Sequence, residues 1–363
     1  GLKALNTTNL AVPSIADPSA HFQATLYTGT GSSPLEVNQS ATTAPAIAPT
    51  STFKPDLVIT KKRSGGTARG FCTADAVRLA EKYVLTDTAA AEVSDTESIK
   101  SFDDDGFTVG DSNETNEGTN PYVGFQWLGD NVSGGTSNTD GNDDTMGVKV
   151  NANDTAGFSI ITYTGNGTAG ATVGHGLSAA PDWVIVKNRD QADSWWVYMS
   201  SNINATSAAK DEYLVLDTSA VSIDSATAWN DTAPISDVFT VGDAHNVNAD
   251  GEDYVAYCFR AIAGYSDAGT YTGDGADDAD GPLIYTGFTP AFVLWKSGSD
   301  ARQWLNYYAA VQDKGNPVSD YLLWDDGANP ENSNAYIDFL SNGFRCTMET
   351  AVYDLNKDGA TYN

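Results

Sequence analysis

Short apolar runs separated by turn residues fill this sequence, and they return in one fixed order. Each round opens on an aromatic turn: Tyr27-Thr28-Gly29-Thr30-Gly31, Tyr163-Thr164-Gly165-Asn166-Gly167 and Tyr271-Thr272-Gly273-Asp274-Gly275. A proline and a dense apolar run follow, as Pro55-Asp56-Leu57-Val58-Ile59, Pro181-Asp182-Trp183-Val184-Ile185-Val186 and Pro290-Ala291-Phe292-Val293-Leu294-Trp295. Unbroken β-branched and aromatic residues predict a strand covered on both faces, with Lys61, Lys187 and Lys296 closing it on the solvent side. The third element reads Tyr83-Val84-Leu85-Thr86-Asp87, Tyr213-Leu214-Val215-Leu216-Asp217 and Tyr321-Leu322-Leu323-Trp324-Asp325, each a strand stopped by an aspartate that favours a turn. The fourth is Gly106-Phe107-Thr108-Val109, Val238-Phe239-Thr240-Val241 and Gly343-Phe344-Arg345-Cys346. Two rounds then finish with an alternating aromatic strand, Tyr122-Val123-Gly124-Phe125-Gln126-Trp127 and Tyr254-Val255-Ala256-Tyr257-Cys258-Phe259, which puts every second residue on one face.

Self-similarity of this kind marks repeated structural units. With about seven short strands per round, the pattern predicts an all-β fold of tandem antiparallel β-sandwich repeats, the third lacking its closing strand. The expected divisions are an extended connector over 1–20, repeats over 21–129, 157–263 and 264–363, and a linker over 130–156. That linker is rich in Gly, Ser, Asn and Asp and carries one short strand near Val148 to Val150. Helical periodicity covers only Thr73 to Lys82, with Val77 and Ala80 on one side. The third round reaches Gly359-Ala360-Thr361-Tyr362-Asn363 before its aromatic strand. Because natural sheets avoid exposed edges, the expectation is that the unit continues past Asn363 or that a neighbouring chain completes it. The opening at Gly1, without methionine, reads as processing or as part of a longer polypeptide.

Composition supports the all-β reading through 34 glycines and 17 tyrosines. Charge narrows the partners: 19 Lys and Arg against 48 Asp and Glu give a formal net charge of −29, which repels a phosphate backbone. Nucleic acid is therefore not an expected partner, and no apolar stretch is long enough to predict insertion in a membrane. Cys72, Cys258 and Cys346 are odd in number, lack CxxC spacing and fall at non-matching places of the repeat, so they read as buried thiols.

Candidate chemistry is sparse. None of His21, His175 and His245 has a second histidine at metal-ligand spacing, and His175 between two glycines reads as a turn residue. Asp354-Leu355-Asn356-Lys357-Asp358-Gly359 reproduces the first half of a calcium loop, with oxygen ligands at alternate positions, so Asp354, Asn356 and Asp358 are the candidate Ca2+ ligands. The matching Asn248-Ala249-Asp250-Gly251 and Asn116-Glu117-Gly118 offer the plainer reading of a repeated glycine turn. Acidic loops at Asp103 to Asp105, at Asp140, Asp143 and Asp144, and at Asp274, Asp277, Asp278 and Asp280 are read as solvated turns or ion sites. Trp195, Trp196 and Trp304 follow the central strands, where neighbouring rings alternate between core and surface; an exposed one is a candidate for stacking on a glycan. Paired carboxylates on so acidic a chain carry no diagnostic weight for a glycosidase, and no enzyme is expected.

The set of segments resembles a repeat family encoded by marine tailed phages, including phages of cyanobacteria and Pelagibacter, in which such repeats often follow a lectin-like jelly-roll domain. The likeness covers nearly the whole chain. It rests on Leu2-Lys3-Ala4-Leu5-Asn6-Thr7-Thr8-Asn9-Leu10, Asp75-Ala76-Val77-Arg78 and Ser101-Phe102-Asp103-Asp104-Asp105-Gly106-Phe107-Thr108. Further pieces are Ser137-Asn138-Thr139-Asp140-Gly141, Thr155-Ala156-Gly157-Phe158-Ser159-Ile160, Val173-Gly174-His175-Gly176-Leu177 and Tyr285-Thr286-Gly287-Phe288. The resemblance implies a non-enzymatic virion protein of a tail fibre, head fibre or surface decoration, outside the cell on the virion surface. Its implied partners are further copies of itself, other virion proteins and a host surface glycan. It brings no catalytic residues. Two other readings stay open: a filament-forming or surface-layer protein of a bacterium, completed by strand exchange between subunits, and a polysaccharide-degrading enzyme.

Overall fold

The computed structural model describes residues 13–40, 50–65, 67–129, 136–137, 146–201, 209–276, 281–311, 316, 318, 321–327, 337–346 and 355–363. Over these residues the chain is nearly all β, in several antiparallel sheets without a closed barrel.

The first repeat contains β1 (Phe22–Thr28), β2 (Leu35–Asn38), β3 (Leu57–Lys62), β4 (Cys72–Asp75), β5 (Lys82–Leu85), β6 (Val93–Ser94), β7 (Ile99–Asp103), β8 (Gly106–Val109) and β9 (Pro121–Trp127). Between the first two repeats lie β10 (Thr136–Ser137) and β11 (Lys149–Asn153). The second holds β12 (Phe158–Thr164), β13 (Ala171–Gly174), β14 (Trp183–Asn188), β15 (Trp196–Met199), β16 (Glu212–Val215), β17 (Ile223–Asp224), β18 (Val238–Val241) and β19 (Asp253–Phe259). The third holds β20 (Tyr271–Thr272), β21 (Leu283–Tyr285), β22 (Phe292–Trp295), β23 (Leu305–Tyr308), β24 (Leu322–Leu323), β25 (Ile337–Leu340), β26 (Gly343–Cys346) and β27 (Thr361–Tyr362).

Matched segments occupy matched places. The main sheet of the first repeat runs β1-β9-β3-β4-β5-β6, and that of the second runs β10-β11-β12-β19-β14-β15-β16-β17. The third repeats the motif as β22-β23-β24, with β20-β27 beside it. Smaller sheets, β2-β8-β7, β13-β18 and β21-β26-β25, accompany them. Inside each repeat, alternate residues fill a private core: Val58, Cys72, Ala74 and Phe107 in the first, Val184, Trp229 and Phe239 in the second, Trp295, Tyr307 and Phe344 in the third.

The other face of each main sheet is also apolar, and this decides the architecture. Leu57, Ile59, Phe71 and Phe125 of the first repeat meet Ile185, Trp195, Leu214 and Tyr257 of the second and Trp304, Tyr308, Leu322 and Trp324 of the third in one shared core. Phe125 alone touches Phe292, Tyr308 and Trp324, at ring separations of 5.2, 5.2 and 6.0 Å. The repeats are thus packed around a common centre, and the double-faced burial expected of the central strands comes from their neighbours. All three cysteines are buried and free.

Three expectations change. Residues 73–82 form no helix, because the Asp75 carboxylate accepts the amides of Val77 and Arg78 and turns the chain from β4 into β5, with Leu79 and Glu81 at positive φ. Part of the expected linker belongs to the fold: β11 pairs along β12 as part of the second repeat's main sheet, and Met146, Val148 and Val150 enter that repeat's core. Of the expected connector, residues 13–20 are tied down by Ile15, buried with Ala156 and Ile262, and by the Ser14 amide on the Ala263 carbonyl.

A shared centre makes the repeats one thermodynamic unit. Phe125→Ala is expected to cost about 3–5 kcal/mol and to move a single melting transition of the whole chain; calorimetry resolving a separate transition for each repeat would contradict this.

Candidate functional site

The residues that carry the most specific chemistry lie where the repeats meet. Phe71, Trp195 and Trp304 hold equivalent places just before β4, β15 and β23. The Trp195 indole N–H donates to the Leu85 carbonyl of the first repeat, and the Trp304 indole donates to the Val215 carbonyl of the second, both at 2.9 Å. Phe71 has no donor, and it stacks instead on Trp324 of the third repeat at 4.4 Å. Each repeat therefore grips the one before it, and the first grips the last. The glycan-stacking role expected of these indoles is corrected by their burial. Trp195 and Trp304 are 0% exposed, and Trp196, 9% exposed, is covered by Tyr213 at 3.9 Å between ring centres.

The recurring lysine of the central strand also occupies an interior place. The solvent-facing position that the sequence predicts for Lys61, Lys187 and Lys296 is not what forms: all three are buried and end on backbone carbonyls. Lys61 Nζ donates to Arg69 O and, across the junction, to Gly327 O of the third repeat, at 2.6 and 3.1 Å. Lys296 Nζ donates to Arg302 O and, across the next junction, to Ser219 O of the second, at 2.5 and 3.2 Å. Lys187 Nζ turns to Asn188 O and Gln191 O in its own repeat. Burial pushes all three ammonium groups down to about 8, against the pull of nearby aspartates. Those aspartates include the strand-ending ones, whose carboxylates accept the amides of Phe71, Trp195 and Trp304. Burial raises Asp87 and Asp217, and lifts Asp325 to about 7.

One junction has an ionic hub as well. Arg78, fully buried, donates to Asp75 at 2.6 Å, to Glu92 at 3.1 Å, to the Thr73 carbonyl, and to the Tyr257 hydroxyl of the second repeat at 3.0 Å. Arg189 of the second repeat completes it, reaching Glu92 at 2.9 and 3.0 Å. Burial alone would weaken the charge on Arg78, but Asp75, Tyr257 and Glu92 outweigh it and raise its pKa. Charges placed so deep survive only with such partners.

Of the candidate calcium ligands, Asp354 lies outside the described residues, Asp358 is exposed, and Asn356 is already engaged. Asn356 Oδ1 accepts the Asp274 amide and its Nδ2 donates to the Ala276 carbonyl, at 2.8 and 2.7 Å. Asn116 and Asn248 clamp the aromatic turns of the other repeats in the same way, at 2.6 Å to Thr30 N and 2.8 Å to Asn166 N. Asn356 is therefore a turn clamp, and its oxygen is committed to a backbone amide. Beside each clamp two tyrosines stack, Tyr27 on Tyr122, Tyr163 on Tyr254 and Tyr271 on Tyr362, at 5.0–5.1 Å. Among the described residues no group of three His, Cys, Asp or Glu side chains is arranged to hold a metal. In the acidic loops, Asp103 and Asp105 bond Thr108 and Ser40; Asp140, Asp143, Asp144, Asp277, Asp278 and Asp280 lie outside the described residues. His175 is buried, with Nε2 on the Ile235 carbonyl and Nδ1 accepting the Leu177 amide, so burial lowers its pKa and its role is to hold a turn.

Sequence reasoning misses the junction. Its signal is present in the recurrence of an aromatic residue just before the second strand, with lysine and aspartate around it, but nothing in one repeat states that a neighbouring repeat supplies the missing wall.

The sequence matches the profile of DUF7483, a domain of unknown function, over residues 17–363. No curated protein matches it. Among solved structures, a crystal structure of the STIV MCP is similar at 9% identity and a TM-score of 0.19, covering 67% of this chain and 98% of that one. A likeness at that level carries no argument.

Two outcomes test the junction. Arg78→Met should destabilise the protein by about 3–5 kcal/mol by leaving the buried Asp75 carboxylate without its cation, and Asp75→Leu in the same chain should recover part of the loss in denaturant unfolding. A raised carboxyl pKa means that Asp325 favours the folded state fully below its ordinary value of 3.8 and loses that contribution as pH climbs through about 7. Between those two values its contribution falls with a slope of up to about 1.4 kcal/mol per pH unit. Asp325→Asn should therefore flatten the fall of stability over that range; parallel pH profiles for the two proteins would refute it.

Proposed function

The chain belongs to the DUF7483 domain family, and we propose that it serves as a non-enzymatic structural protein of a virion, built into a tail fibre, head fibre or surface decoration. The observation that carries this reading is the head-to-tail locking of three repeats around one core, through indole, lysine and aromatic contacts. Such packing makes a body that resists local opening, because no repeat can loosen without exposing its neighbours' apolar faces. The ordered set of repeat signatures shared with the marine phage family supports the same reading. An acidic surface, at a formal charge of −29, keeps such a body soluble outside the cell.

In this reading, copies of the chain assemble with one another and with other virion proteins, and contact with a host glycan falls to surfaces other than the buried Trp195, Trp196 and Trp304. The remaining prediction concerns location. Mass spectrometry of purified phage particles should detect the chain in stoichiometric amount, and a density map of the intact particle should accommodate it in a projection; its presence only in the infected-cell lysate, with none in particles, would overturn the proposal.

A further inference from the structure

Two of the three histidines, His21 and His175, grip the same strand from opposite repeats. β11 lies along β12, at the border of the first and second repeats. From the first repeat, Asp56 Oδ1 accepts the side-chain amide of Asn151, and His21 Nδ1 faces that of Asn153, at 2.9 and 3.0 Å. From the second, the turn His175-Gly176-Leu177 packs over the strand, so close that a Cβ on Gly176 would lie 2.7 Å from Val150 Cγ1 and 3.1 Å from Ala152 Cβ. Just past the strand, Asp154 Oδ1 accepts the Ser178 amide at the end of that turn and pairs with Arg260 at 3.2 Å.

Backbone groups that cannot change roles fix the state of both imidazoles. Asn153 Nδ2 also donates to the Leu128 carbonyl, and its Oδ1 accepts the Ala156 amide, so the side chain cannot turn round and His21 Nδ1 has to accept. His175 Nδ1 accepts the Leu177 amide while its Nε2 donates to the Ile235 carbonyl. Each ring is therefore held neutral, with its proton on Nε2. A proton added to either Nδ1 sets donor against donor: at His21 it breaks the tie to Asn153, and at His175 it displaces a buried backbone amide. Burial pushes both imidazoles below their ordinary 6.5. Against it, Asp17 favours the charged form of His21, and the Ile235 carbonyl, Asp237 and Asp154 favour that of His175, with Arg260 on Asp154 offsetting part of the attraction. The Tyr265 ring packs edge-on against His21 at 6.1 Å.

We propose that His21 and His175 form an acid-operated latch on β11: protonation frees the strand from the first repeat and from the 175–178 turn, and bares Val150 and the private core of the second repeat beneath it, while the three repeats stay packed on their shared centre. The inference does not rest on the virion reading. A histidine held below its unfolded value contributes fully to stability above that value of 6.5 and loses the contribution as pH falls through the folded-state value. Over that interval each histidine raises the open fraction of β11 by up to about tenfold per pH unit.

Hydrogen exchange of the whole chain, corrected for the pH dependence of intrinsic exchange, tests this together with an NMR titration of the imidazoles. Between about pH 7 and about pH 5 the protection of β11 should fall about tenfold or more relative to that of β3, and both rings should titrate below 6.5. Asp17, held at about 2 by hydrogen bonds from Ser19, Ser51 and Thr50, and Asp154, held below 3.8 against burial by Ser178 and Arg260, stay ionised over this range. Asp325 titrates within it, but acid strengthens its contribution, and it lies in the third repeat. His21→Asn puts an oxygen where Nδ1 stood and takes up no proton, so the fall should shrink about threefold or more. Asp56 holds Asn151 in both proteins, so the difference between them belongs to His21. Either ring titrating at or above 6.5, protection of β11 that follows that of β3 across the range, or an equal fall in His21→Asn would overturn the proposal. Should the variant fail to fold, the ring titration and the β11 protection of the unaltered chain decide by themselves.

Discussion

Each main sheet in this protein is apolar on both faces, and one of those faces can be kept from water only by the other repeats. Nearly every other feature follows from that demand. A strand such as β3, buried along its whole length, has no solvent side on which to place a charge, so the lysine at its end must find carbonyls instead. Burial of apolar area is non-directional, and by itself it would let three sheets slide over one another. The indole and lysine contacts are directional, and they fix which carbonyl of which neighbour each repeat meets.

Much of the fold is legible in the sequence because strand, turn and repeat signals are local. The order of matched segments, the all-β class and the double-faced burial of the central strands can all be read within a single round. What is not legible depends on partners far away in sequence. Lysine at a strand end ordinarily marks solvent, whereas here loop carbonyls, those of Asn188 and Gln191 for Lys187 and those of the neighbouring repeats at Gly327 and Ser219 for Lys61 and Lys296, make an interior site for it. The apolar positions of residues 73–82 fit a helix, but Asp75 captures its own downstream amides and Arg78 is drawn to Tyr257, 179 positions along the chain. Asn356 shows the reverse error. Oxygen-bearing residues at alternate positions suggest an ion, while the equivalent Asn116 and Asn248, in plain view, point to a clamp.

The junctions also separate what the repeats share from what each has acquired. Tyrosine stacks and asparagine clamps occur three times with nearly the same geometry, so they belong to the unit itself. The cluster of Arg78, Glu92 and Arg189 is found where the first repeat meets the second. Such a buried set of charges adds little net stability over well-packed apolar residues, but it penalises any arrangement that leaves a member unpaired. It distinguishes the junction of the first two repeats from the indole and lysine contacts that the other junctions share.

Phe71 on Trp324 and Lys61 on Gly327 join segments more than two hundred residues apart, whereas Trp195 and Leu85 are 110 apart. Contacts that enclose long loops form late, since the chain entropy lost in closing them must be recovered from many interactions at once. During synthesis, then, the second repeat can cover only part of the first repeat's outward apolar face, and the rest stays bare until the third repeat has left the ribosome. Apolar surface left bare in such an unfinished state is what makes a partly made chain prone to aggregate.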